Sequence, residues 1–145
     1  MVCVEVFDMK KLDENDPEIK RIMRELNEFT PDDFVRLVLL EAGYENEPLP
    51  FDEVELQRLL YKNRELVPIL EQKIAFRTSG TYPYSEYVER IMMRMKISGV
   101  FAPVDKMQLC EGTKEYHEKE FPDLDDTTKQ MAKEIGAELR KRMLD

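Results

Sequence analysis

Gly80-Thr81-Tyr82-Pro83-Tyr84-Ser85-Glu86-Tyr87-Val88-Glu89-Arg90-Ile91-Met92-Met93-Arg94-Met95-Lys96-Ile97-Ser98-Gly99 decides how the chain is read. Ser79 to Pro83 is a turn, because glycine and proline punctuate it. Tyr84, Tyr87, Val88, Ile91, Met92 and Met95 then recur every three or four residues, which is one apolar stripe of a helix. Gly99 closes it. The outward face carries Ser85, Glu86, Glu89, Arg90, Met93 and Arg94. Arg90 and Arg94 stand one turn apart, so both point at one groove.

Downstream, Val100–Val104 and Met107–Cys110 read as two short strands around a tight turn at Asp105-Lys106. A short helix follows over about Thr113 to Glu120, and Pro122 punctuates it. Asp125 or Asp126 caps a last helix, whose stripe is Met131, Ile135, Leu139 and Met143, with Ala132 beside it. Upstream, Ile74–Thr78 reads as a short strand and 64–73 as a short helix, broken from its predecessor by Pro68. Asp52 with Glu55 is a capping-box-like start for a helix reaching about Asn63. Residues 44–50, with Pro48 and Pro50, are a loop. Thr30-Pro31 opens an almost wholly apolar helix that Gly43 stops. Asp16-Pro17 opens another over about 17–28, and Val2, Val4 and Val6 alternate as a short strand.

Helix, short helix, extended piece, turn, amphipathic helix, hairpin, helix is the order a winged helix needs. The amphipathic helix packs one face on the core and offers the other to a groove, and the hairpin lies beside it. The expected fold is therefore mainly α: a winged helix-turn-helix core with a short β-hairpin wing and flanking N- and C-terminal helices. The reading is one domain over 1–145, with the winged unit at 52–121 and a C-terminal helix at 122–145.

Several short motifs stand in this unit in a meaningful order. Leu56-Gln57-Arg58-Leu59-Leu60-Tyr61 resembles the "LQKLLY" opening of small prokaryotic and archaeal winged-helix proteins, including the Panacea-type antitoxin domains. Gly80-Thr81-Tyr82-Pro83-Tyr84-Ser85 resembles the segment that begins their recognition helix. Met95-Lys96-Ile97-Ser98-Gly99-Val100-Phe101 resembles its exit into the wing, and Leu109-Cys110-Glu111-Gly112-Thr113 the start of the next helix. There are departures: Cys110 stands where threonine is usual, and the glycine lies three residues before Pro83. Residues 1–51 and 122–145 fall outside the resemblance. It implies a DNA-binding transcriptional regulator, with 84–97 in the major groove and 100–110 as the wing.

On that reading the DNA-contacting residues are Arg77, Ser85, Arg90, Arg94, Lys96 and Lys106. Arginine holds phosphate or reads guanine with two parallel bonds. The plainer reading makes Glu86–Arg90 a surface pair at helical spacing, Asp105-Lys106 ordinary turn chemistry, and Arg77, Lys73 and Lys96 a solvated face. The last helix either pairs with its copy in a homodimer or packs on its own core. Arg140-Lys141-Arg142 suits a helix C-terminus.

The charge distribution sharpens the choice. Residues 1–71 carry 9 Lys/Arg against 18 Asp/Glu, residues 72–107 carry 6 against 3, and residues 108–145 carry 7 against 10. A chain of net charge −9 repels nucleic acid at long range, so only the middle segment favours it. The acidic first half equally suits a basic protein partner, and an acidic winged-helix interaction module is the alternative function. Charged residues make up 37% of the chain and tryptophan is absent, which suits a thermophile.

Other chemistries find no footing. No apolar run nears the roughly 20 residues a membrane span needs, and Met1–Phe7 lacks the basic start of a signal peptide. The expected location is cytoplasmic, with Cys3 and Cys110 as reduced thiols. One histidine and two cysteines, without metal-ligand spacing, make no zinc site. No nucleophile elbow, phosphate loop or dinucleotide fingerprint appears, so no enzyme and no cofactor is expected. His117 reads as an exposed surface residue, and Asp32-Asp33 as a capping pair.

Overall fold

Thr30 opens α1 (Pro31–Ala42) as the sequence requires. Its hydroxyl accepts from the Asp33 N–H, and the Asp33 carboxylate accepts from the Thr30 N–H at 2.9 Å, a reciprocal cap. Gly43 ends the helix at φ 98°, a left-handed conformation natural to glycine. The computed structural model describes Pro17 and residues 28–97 and 106–144. The expected strand over 1–7, the body of the helix over 17–28 and the wing's first arm over 100–104 lie outside these.

After α1 come β1 (Leu49–Pro50), α2 (Glu53–Lys62), a 3-10 turn (Arg64–Leu66), α3 (Pro68–Lys73), α4 (Glu86–Ile97), β2 (Lys106–Met107), α5 (Thr113–Glu120) and α6 (Asp126–Leu144). Among the described residues the protein is mainly helical, with one small two-stranded antiparallel sheet. Asp52 caps α2 by accepting from the Val54 N–H at 2.9 Å. Glu55 does not complete the box: it accepts from Arg58 at 2.8 Å and Arg142 at 2.9 Å instead. Asp125 caps α6 through the Thr128 N–H at 2.9 Å.

The sheet corrects two expectations. β2 pairs with β1, Leu49 opposite Met107 and Pro50 opposite Lys106. Leu49–Pro50 is thus a strand rather than loop, and Lys106 sits in a strand rather than at a turn tip. Local turn chemistry reports nothing of a partner so distant in sequence. Pro50 has no N–H to offer the ladder, and its carbonyl accepts from the Tyr44 hydroxyl at 2.5 Å. Burial pushes that phenol up to about 12, with Arg140 opposing. The strand expected over 74–78 reduces to one bridge, Arg77 to Tyr84, with N–H···O distances of 2.7 and 2.9 Å.

The core gathers Phe34, Val35, Val38 and Leu39 of α1 with Leu56, Leu59 and Leu60 of α2 and Ile135 and Leu139 of α6, all 0–1% exposed. α6 packs chiefly on α1 and also on α2. Its apolar stripe is therefore internal, which is the second of the two roles the sequence allows it. Gly136 makes the crossing close: a Cβ there would lie 2.8 Å from the Val38 carbonyl oxygen and 2.8 Å from the Glu41 Cβ. Arg140 reaches across Gly43 and donates to the Ala42 carbonyl at 3.0 Å and to Glu47 at 3.1 Å. It satisfies an end carbonyl of α1 with a cation, where the helix dipole is negative.

Glu45 performs the opposite service for α5. Its carboxylate accepts from the Gly112 N–H at 2.8 Å, at the positive end of that helix. Cys110 is disulfide-bonded, not the reduced thiol expected, so it gives no argument for a reducing compartment. Cys3 lies outside the described residues. Among the described residues no helix is long and apolar enough to cross a membrane.

Candidate nucleic-acid interface

The face of α4 begins with how the helix is held. Gln57 of α2 is fully buried beside Leu56, Leu59 and Leu60. Its side-chain oxygen accepts from the Ser85 N–H at 2.5 Å, and its amide nitrogen donates to the Ser85 carbonyl at 3.4 Å. The Ser85 hydroxyl accepts from the Val88 N–H at 3.3 Å, one turn into α4. A buried amide is tolerated only when its donors and acceptors are matched, and these are matched to the backbone that starts the helix. Val88, Ile91, Met92 and Met95 then face the core.

Ser85 is a correction. The sequence reading turns it outward to DNA, yet it is 0% exposed. Its hydroxyl is engaged in capping, and the amide of Gln57 holds its backbone N–H and carbonyl. Serine is among the most favoured residues at a helix start, and that role accounts for it.

The outward face of α4 consists of Glu86, Arg90, Met93 and Arg94, all exposed, together with Tyr87, which the sequence reading counts with the apolar stripe but which is 37% exposed. Arg90 donates to Glu86 at 2.8 Å. Arg94 donates to Asp32, through Nε at 3.1 Å and through Nη2 as well. The Tyr87 hydroxyl donates to the other oxygen of Asp32 at 3.4 Å. Burial, followed by the Asp32 charge, raises the Tyr87 phenol. Beside this face the Tyr84 hydroxyl donates to Glu89, a bond that with burial holds it at about 12.

Both arginines placed in the groove by sequence thus already hold carboxylates. Glu86 is legible at helical spacing, and Asp32 is not. Asp33 alone closes the cap of α1, which leaves Asp32 free to reach α4. Arg77 is exposed and tied through its backbone to Tyr84, next to the start of α4. Lys106 is exposed on β2, and the Lys96 side chain lies outside the described residues. No carboxylate partners Arg77 or Lys106 among the described residues.

His117 corrects another expectation. It is 4% exposed, and its Nε2 is buried without a hydrogen-bond partner. Burial, then the nearby Arg36 charge, lowers it to about 4, so the ring is neutral at pH 7. No cluster of histidine, cysteine and carboxylate side chains that could hold a metal ion occurs among the described residues. Comparison with known proteins finds no matching family model, no matching curated protein and no matching solved structure.

Proposed function

We propose that the chain is a non-catalytic protein-interaction module of winged-helix type, with the outward face of α4 as its docking surface. The observation that carries this is the pairing of Arg90 with Glu86 and of Arg94 with Asp32. A DNA phosphate would have to displace those carboxylates and then remain beside them. The same face offers Tyr87 and Met93 between paired charges. Tyrosine, methionine and arginine are the residues enriched in protein interfaces. The −9 balance of residues 1–71 favours a partner with a basic rim. The winged-helix type is supported by the order of elements and by the Gln57–Ser85 contact, which joins two of the sequence motifs.

The experiment places a photo-crosslinking residue at Met93 in the full chain and irradiates it in its own host cells. One discrete protein adduct is expected, lost when Tyr87 and Arg94 are both changed to alanine. Adducts to DNA alone would defeat the reading.

DNA regulation is the second reading, favoured by the exposed Arg77 and Lys106, which lack carboxylate partners among the described residues. Fluorescence anisotropy with a random-sequence duplex at low salt separates the two. Under the second reading Asp32→Asn frees Arg94 and tightens DNA binding about two- to tenfold, and Arg90→Ala with Arg94→Ala abolishes it. Under the first, none of these proteins retains the duplex.

A further inference from the structure

An open groove of about 540 Å³ runs between α1, α5 and the start of α6. Its apolar lining is Leu37, Leu40, Phe121 and Leu124, all half-buried. Two contacts mark its ends. At one end Phe29, the residue before the cap of α1, sets its ring edge-on to Phe121 with centroids 5.1 Å apart. The chain therefore enters α1 from the side of the groove. At the other end stands Cys110, which precedes α5. The Leu109 N–H donates to the Tyr44 carbonyl at 2.9 Å, and Glu45 accepts from the Gly112 N–H at 2.8 Å, so Cys110 lies beside the C-terminal end of α1. Cys110 is disulfide-bonded, and the chain's other cysteine is Cys3.

The sequence between these two anchors has a matching pattern and length. Ile19, Ile22, Met23 and Leu26 fall on one helical stripe with Phe29. Residues 17–28 number 12, as α1 does, and each would rise about 18 Å at about 1.5 Å per residue. Helices joined by a short connection return as antiparallel neighbours. With the reversal at Glu28-Phe29-Thr30, position 22 comes back beside Leu37 and position 19 beside Leu40. The stripe and the groove are each apolar surfaces in want of cover.

We propose that this groove is the seat of the chain's own residues 18–27, laid antiparallel to α1 and strapped at the far end by a Cys3–Cys110 disulfide. The strap answers to reduction. A dithiol reductant exchanges with the bridge: Cys3 and Cys110 become thiols while the two thiols of the reductant become its disulfide. The segment then keeps only its apolar hold and leaves the groove more often. The inference is independent of what α4 binds, since no residue of that face lines the groove.

The test uses the full chain with methyl-labelled isoleucine, leucine and valine. Nuclear Overhauser contacts are expected from Ile22 to Leu37 and from Ile19 to Leu40. A non-reduced digest should join the Cys3 and Cys110 peptides in protein of monomer mass. Dithiothreitol should speed amide exchange over 18–27 about tenfold or more, with a smaller change in α6. Ile22→Asp should speed it likewise without touching the bridge, while the Val88 and Ile91 methyl signals of the core stay in place. Absence of the Ile–Leu contacts overturns the proposal. Contacts seen only between differently labelled chains make the occupant a second copy and overturn it too. So does exchange over 18–27 that reduction leaves unchanged.

Discussion

His117 and Asp32 each read one way from their neighbours in sequence and another in the folded chain. α5 is short and mostly charged, so its histidine looks solvated; the residues that bury it come from α1 and the chain after α5. The consequence is measurable. The folded ring titrates near 4 and the unfolded ring near 6.5. The folded protein therefore binds fewer protons between those values. This contribution to stability is whole above pH 6.5 and drains away as pH falls toward 4. At about 1.4 kcal/mol per pH unit it amounts to about 3 kcal/mol. Urea unfolding at pH 7 and at pH 4.5 should show a fall in the parent protein that His117→Leu reduces. An equal fall in both would refute the assignment. Gly136 gives a second prediction at this scale. Gly136→Ala drives a methyl against backbone and should cost about 1–3 kcal/mol, read from the denaturation midpoint. At Gly112 a Cβ would meet nothing within 4 Å, but φ is 91°. There alanine should cost about 1–2 kcal/mol through backbone conformation alone.

Among elements, starts and stops were the most legible. Thr30-Pro31, Gly43, Asp52 and Asp125 act where they stand, because capping is chemistry between residues a few positions apart. Pairing was not legible. Nothing near Lys106 announces that its strand partner is Pro50, and a turn reading was the only local alternative. Gln57 lies between the two cases. An amide beside the apolar residues Leu56, Leu59 and Leu60 signals a buried polar contact, but not that its target is Ser85. Replacing it tests what the contact does. Gln57→Leu leaves the Ser85 N–H buried and unmatched, while the Ser85 carbonyl still accepts from the Glu89 N–H at 3.1 Å, and should cost about 1–3 kcal/mol. Amide exchange should quicken first in the opening turn of α4. If exchange there stayed as slow as in α2, Gln57 would have no part in holding that helix.

For the whole molecule, the candidate interface was half visible. Arg90 and Arg94 could be placed on one helical face, and their spacing was right. What surrounds them is long-range: Asp32 arrives from α1, and no periodicity in 80–99 could have announced it. The net charge then acts as context for a face whose own charges are mutually matched. The last helix shows the same dependence on distance. Its stripe was legible, but choosing between a second chain and its own core required Gly136 seated on Val38 and Glu41.

That crossing also sets a schedule for synthesis. α1 is made long before α6, and its apolar flank must wait for the helix that covers it. At roughly 5–20 residues per second the interval is on the order of 5–20 seconds. Throughout it the emerging chain shows Val38 and Ala42 to whatever surrounds the ribosome. Folding cannot proceed piece by piece behind the growing end; it closes late, across a long loop whose entropy is lost at the final step. A chain cut short before residue 126 would be left in that open state. It should be held by chaperones or aggregate instead of accumulating as a smaller folded protein.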